Sequence, residues 1–192
     1  MNKTNTRQLV LCAIFTALTI VLQLLGAFIR FGMFSISLVL IPIVLGAALC
    51  GTKAGAWLGA VFGAVVLLSG DAAPFLTVSV PGTVITVMLK GILAGLCAGL
   101  VYRLVARKNR DLAVVCAAVV CPVVNTGVFL LGCMTFFMDT ISGWAAAVGL
   151  GGDVAHYMIF VMVGVNFLVE LGVNIVLSPI IVRLLNIKRV SA

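Results

Sequence analysis

Two ionisable side chains stand inside long apolar runs of this chain, and polar residues flank both at helical spacing. Lys90 follows Thr86 by four residues and Thr83 by seven, so all three fall on roughly one helical face. Glu170 has Asn166 and Asn174 four residues to either side, which makes a stripe of Asn, Glu and Asn. Asn125 and Thr126 come just after Pro122, whose missing N–H leaves a nearby carbonyl without its donor. Gln23 is the comparable group in the first run. Charged groups at membrane depth are expensive and mark functional sites by default. Two readings fit and can coexist. One is an internal Lys90–Glu170 ion pair with the amides bridging helices. The other is a polar pocket open to the outer face. There Lys90 and Arg30 hold an anionic or carbonyl group, Asn125, Asn166 and Asn174 supply paired donors and acceptors, and Thr86 and Glu170 complete the wall.

Catalysis has little support in these residues. There is no HExxH, and Leu150-Gly151-Gly152-Asp153 misses a GxGD pattern at its first position. The single histidine, His156, stands beside Tyr157 at a helix end with no Ser or Cys partner in view, as an interfacial or pocket-rim residue. Nothing resembles a phosphate-binding loop, so hydrolysis of ATP by this chain is excluded. Neither a cofactor nor a metal is expected. The six cysteines lie within apolar runs without a CxxC pair and read as small packing residues.

The elements that must position the polar groups follow from composition. The chain is 64% hydrophobic and 9% charged, with a mean hydropathy of +1.34. Soluble domains run nearer about 25% charged. The expectation is an all-α, six-transmembrane-helix bundle over residues 1–192 as one integral membrane domain. The approximate spans are 8–28, 35–50, 54–69, 82–106, 112–138 and 155–184. A helix needs about 20 residues to cross the hydrocarbon, so the second and third are short, and Pro42 should loosen the second. The sixth is long enough to tilt or protrude.

Charge sets the orientation. Ten of the twelve Lys and Arg residues fall in every second gap: Lys3 and Arg7, Lys53, then Arg103, Arg107, Lys108 and Arg110, then Arg183, Lys188 and Arg189. The intervening gaps hold Arg30 alone among bases and three of the five acids, Asp71, Asp139 and Asp153. Cytoplasmic loops carry the Lys/Arg excess, so both termini are expected in the cytoplasm. The net charge of +7 therefore reads as topology and lipid head-group contact, with no nucleic acid partner. The outer gaps 29–34, 70–81 and 139–154 combine aromatic or apolar residues with Gly or Pro, a make suited to lids over a bundle.

Small residues recur at four-residue spacing: Gly55, Gly59 and Gly63 in the third run, and Gly91, Gly95 and Gly99 in the fourth. Both sets are expected as ridges that let helix backbones approach closely in lipid. Ala13 and Ala17 make a similar pair in the cytoplasmic half of the first run, and Cys12 and Thr16 widen the small face. That patch suits internal packing or another protein's helix.

Six helices in about 190 residues, the Ala13-x-x-x-Ala17 pair and the stretch Leu45-Gly46-Ala47 to Gly51-Thr52-Lys53-Ala54-Gly55 resemble the substrate-binding S-components of energy-coupling factor (ECF) vitamin transporters. The resemblance covers essentially the whole chain. It implies capture of a vitamin or related micronutrient from outside, beneath loops one, three and five. It also implies docking through Ala13 and Ala17 onto a transmembrane coupling protein that carries two cytoplasmic ATPases, in a bacterial plasma membrane. Toppling of the loaded subunit would then release the ligand inside. Pocket residues differ with each vitamin, so no ligand contact is carried over. The basic pair and amides suit a small carboxylate-bearing molecule, with pantothenate the first candidate and folate, biotin, niacin or a pyrimidine precursor open. A self-sufficient carrier or channel, with Glu170 coupling an ion, is the alternative. An intramembrane enzyme or assembly scaffold is a third class.

Overall fold

Long apolar runs have one way to satisfy their backbone in lipid, and they become helices. The computed structural model describes the backbone of residues 3–27, 30–31, 34–35 and 38–190, and the side chains of residues 6–27, 38–179 and 182. In order come α1 (Lys3–Gly26), a short antiparallel hairpin of β1 (Arg30–Phe31) and β2 (Phe34–Ser35), then α2 (Leu40–Cys50) and α3 (Thr52–Leu68). A single-turn α4 (Ala73–Leu76) leads to α5 (Val80–Val105) and α6 (Arg110–Phe136). Then follow α7 (Met138–Ala147), α8 (Val154–His156) continued by a π-helical stretch over Tyr157–Met162, and α9 (Gly164–Val190). Among the described residues, three helices are long and apolar enough to cross a membrane: Thr6–Gly26, Val80–Val105 and Arg110–Phe136. The bent pair Val154–Met162 and Gly164–Pro179 makes a fourth if it counts as one span. Among the described residues, α2 and α3 are shorter apolar helices.

Several expectations need correction. The second helix begins at Leu40 and not at residue 35, because Arg30–Phe31 and Phe34–Ser35 pair as the hairpin. Pro42 does not loosen α2. It occupies the third helical position, where no N–H has an intrahelical acceptor and proline costs nothing. The sixth expected span is broken: the helix runs as a π-helix to Met162 and turns by 41° before α9. Val163 N–H reaches Met158 O at 3.3 Å, five residues back. The outer stretches 70–81 and 139–154 hold helices of their own, α4 and α7.

α5 lies at the centre, with its most extensive contacts to α3 on one side and α6 on the other. α1 packs on α2 and α3, α9 on α6, and α2 touches α1, α3, α5, α6 and α9. The α3–α5 contact is backbone on backbone. A Cβ at Gly55 would lie 2.5 Å from Gly95 O, and one at Gly63 would lie 2.9 Å from Val87 O. Cβ atoms at Gly59 and Gly91 would each collide with the other's carbonyl. The two glycine ridges are thus the facing halves of one seam. Gly51 alone separates α2 from α3, with φ +96°, a conformation that side-chain-bearing residues rarely adopt.

An alanine at Gly59 or Gly95 has a rigid carbonyl in its way and no flexible side chain to displace. Gly59→Ala should destabilise the bundle by about 3 kcal/mol, at the upper end of ordinary overpacking. Gly127→Ala, where nothing lies within 4 Å, should leave the thermal unfolding midpoint in detergent unchanged.

Candidate functional site

Four helices each turn polar side chains toward one interior space. From α1, Phe15, Thr19 and Gln23 succeed one another at four-residue spacing, and all three are buried. From α5 come Thr83, Thr86 and Lys90, from α6 Asn125, Thr126 and Phe129, and from α9 Asn166 and Glu170. Together with Gln23, they line a cavity with roughly 750 Å³ of space free of atoms, part of it open to the surface. The cavity lies where two apolar clusters meet. Val66, Ala72 and Val87 belong to one, and Phe75, Phe137 and Val163 to the other.

Lys90 is half-buried, and its Nζ stands 5.5 Å from the centroid of the Phe62 ring and 5.1 Å from that of Phe129. Both are within cation–π range of about 6 Å. Glu170 and Asp71 are carboxylates that act electrostatically on it. Asp71, in the turn before α4, accepts hydrogen bonds on Oδ2 from Gln23 Nε2 at 2.9 Å and Ser69 Oγ at 3.3 Å. The outer turn is thereby tied to the inner face of α1.

The mouth is roofed by aromatic rings. Phe75 of α4 is 3% exposed and makes edge-to-face contacts with Phe129 at 5.6 Å, Phe137 at 5.0 Å and Trp144 of α7 at 5.6 Å. Stretch 70–81 supplies Asp71, Ala72 and Phe75 to the lining, whereas 139–154 acts behind it through Trp144.

Of the residues singled out in the sequence, the structure brings Thr86, Lys90, Asn125, Asn166 and Glu170 to this cavity. Asn174 is buried one turn beyond it, and its Nδ2 donates to Glu170 O at 2.8 Å. The side chain of Arg30 lies outside the described residues. His156 is exposed, stacks on Phe160 at 4.8 Å and takes no part in the lining. Asp71, Gln23, Thr83 and the phenylalanines were missed as site residues. Gln23 and Asp71 carried a signal, as a lone amide in an apolar run and an acid in an outer gap. The phenylalanines carried none, since the sequence cannot tell a ring facing a cavity from one facing lipid. Ala13 and Ala17 are exposed on the outward face of α1, opposite Phe15, Thr19 and Gln23.

The mostly apolar helical bundle thus encloses a few convergent polar groups, the arrangement that marks a candidate site. The chain belongs to the family of ECF transporter substrate-specific components, whose sequence model, described as "ECF transporter, substrate-specific component", matches residues 7–182. No curated protein sequence and no solved structure matches it. Membership makes it a substrate-specific subunit of a transporter, with a substrate and an ECF coupling module as partners.

Gly132 of α6 leaves the room that Thr86 fills. A Cβ there would lie 2.8 Å from Thr86 Cβ and would collide with its hydroxyl. Gly132→Ala should push Thr86 toward the cavity and destabilise the bundle by about 1–3 kcal/mol, read as a lowered thermal unfolding midpoint in detergent.

Proposed function

We propose that this chain captures a small vitamin-class micronutrient from outside the cell and delivers it inward when docked on an ATP-driven coupling module. The observation that carries the reading is the polar cavity of Thr86, Lys90, Asn125, Asn166 and Glu170, roofed by Phe75, in a chain whose family binds substrates for ECF transport. The whole chain acts as one membrane domain of the plasma membrane, with six crossings and both termini cytoplasmic. The alternation of basic and acidic gaps supports this topology. α2 is about 16 Å long at 1.5 Å per residue, short for a crossing. Its enclosure by five other helices suits such a segment, because protein and not lipid surrounds its ends.

Docking is assigned to the outward face of α1. Ala13 and Ala17 leave a shallow strip there, beside exposed Ile14 and Leu18 at 50% and 42%. A partner helix can approach such a strip closely. Two cytoplasmic ATPases supply the energy that this chain has no motif to obtain. The chain does no chemistry on its ligand. Pantothenate, the first candidate, rested on Lys90 and Arg30 as a basic pair, with Lys90 as the carboxylate's counter-ion. Among the described residues only Lys90 of that pair faces the cavity, and Asp71 joins it.

The test is co-expression with an ECF coupling protein and its ATPase pair. The proposal expects co-purification and ATP-dependent uptake into proteoliposomes. Uphill accumulation by this chain alone would overturn it. Ala13→Leu with Ala17→Leu should cut both uptake and co-purification more than tenfold and leave ligand affinity within twofold of the unaltered chain.

A further inference from the structure

At the end of the bundle away from the polar cavity, two turns bound an open groove. One is Gly51, between α2 and α3, and the other joins α5 to α6. Four basic side chains line the groove: Lys53 from α3, Arg103 from α5, Arg107 from the turn and Arg110 from α6. Asp111 is the single acid among the lining residues. The chain has four other acidic side chains, and they lie elsewhere. Asp71 and Glu170 line the polar cavity, and Asp139 and Asp153 come after the far end of α6. Four positive charges against one leave an excess of three, whatever pairs form within the groove.

Packing brings these bases together. A Cβ at Gly99 would lie 2.8 Å from Thr52 Cα, so the start of α3 is pressed against α5 there. Lys53 follows Thr52, and Arg103 stands one turn beyond Gly99. Bases from two separate gaps in the sequence thus meet at one concavity. Lys108 lies in the same turn as Arg107 and is exposed, yet it takes no part in the lining. Orientation in a membrane asks for charges on one side, not for their gathering in a groove. α3 adds to the field: no side chain caps its N-terminus, and the positive end of its dipole lies at the groove. α6 differs, because Asn109 Oδ1 already accepts from the N–H groups of Asp111 and Leu112 at 2.9 and 3.1 Å.

An excess of positive charge carried largely by arginine suits phosphate, whose oxygens match the guanidinium fork. The surface beside the groove indicates where the phosphate comes from. Leu100, Arg103 and Leu104 share one face of α5, and both leucines are exposed, at 43% and 62%. A headgroup in the groove would leave its acyl chains against these leucines, a contact that a free phosphate cannot use.

We infer that this groove binds the headgroup phosphate of an anionic phospholipid through Lys53, Arg103 and Arg107, with the acyl chains along Leu100 and Leu104. The site is separate from the polar cavity and does not depend on what fills it.

The test is native mass spectrometry of the full chain in detergent, titrated with phosphatidylglycerol and, separately, with phosphatidylcholine. Phosphatidylglycerol is expected to bind about tenfold or more tightly than phosphatidylcholine. Arg103→Gln with Arg107→Gln should weaken phosphatidylglycerol binding about tenfold or more. Arg7→Gln with Lys108→Gln removes the same charge outside the groove and should leave binding within about twofold. Equal binding of the two lipids would overturn the inference, as would an equal loss in the two double variants. Competition by glycerol 3-phosphate as strong as that of the lipid would overturn the lipid source and make a soluble phosphate the occupant. If both lipids bind alike and the groove variant loses co-purification with the coupling module, the groove is a protein contact and the inference fails. The comparison of the two lipids uses the unaltered chain, so misfolding of a variant cannot mask it.

Discussion

The backbone seam between α3 and α5 governs where everything else can go. Gly59 and Gly91 meet carbonyl to Cα, with no side chain between them, and Gly55 and Gly95 repeat the contact one turn on. In lipid there is no hydrophobic drive between helices, so close approach and dispersion must supply the association. The seam also fixes rotation. With Gly91 turned into α3, the residue before it, Lys90, is carried about 100° round the helix and faces the cavity. Ammonium position is thus set by a contact in which no charged group takes part.

The cavity shows the same economy of polar groups. Lys90 stands near two aromatic rings and lines the same cavity as two carboxylates, Asp71 and Glu170. Asp71 and Gln23 close the ring by linking the turn before α4 to α1. Phe75 then joins that turn to α6 and α7 through three ring contacts. Neighbouring chain segments are drawn together by what each contributes to the cavity's wall and roof.

Much of this was legible in the sequence, for reasons that differ by feature. Apolar runs and glycine spacing disclosed the helices and the α3–α5 seam, because both depend on periodicity within a single run. Lys90 and Glu170 stood out because charge in an apolar run has few innocent explanations. Position along the chain concealed the rest. Asn174 shares the stripe of Glu170 yet turns its amide onto Glu170's own carbonyl, a local choice that spacing does not reveal. The break at Val163 depends on a five-residue hydrogen bond, for which Gly164 was the faint signal. Asp71 lay in a gap, where an acid reads as solvated until the fold shows Gln23 reaching it.

One helix carries two opposed faces. Gln23, on the inward side of α1, holds the carboxylate of Asp71, and Ala17 lies six residues earlier on the outward side, about 9 Å along the axis. A rod that stiff cannot roll or slide at one surface and stay still at the other. Any force applied to the outside of α1 is therefore felt as a tug on the amide–carboxylate clasp within, and a change in the clasp reappears on the outside.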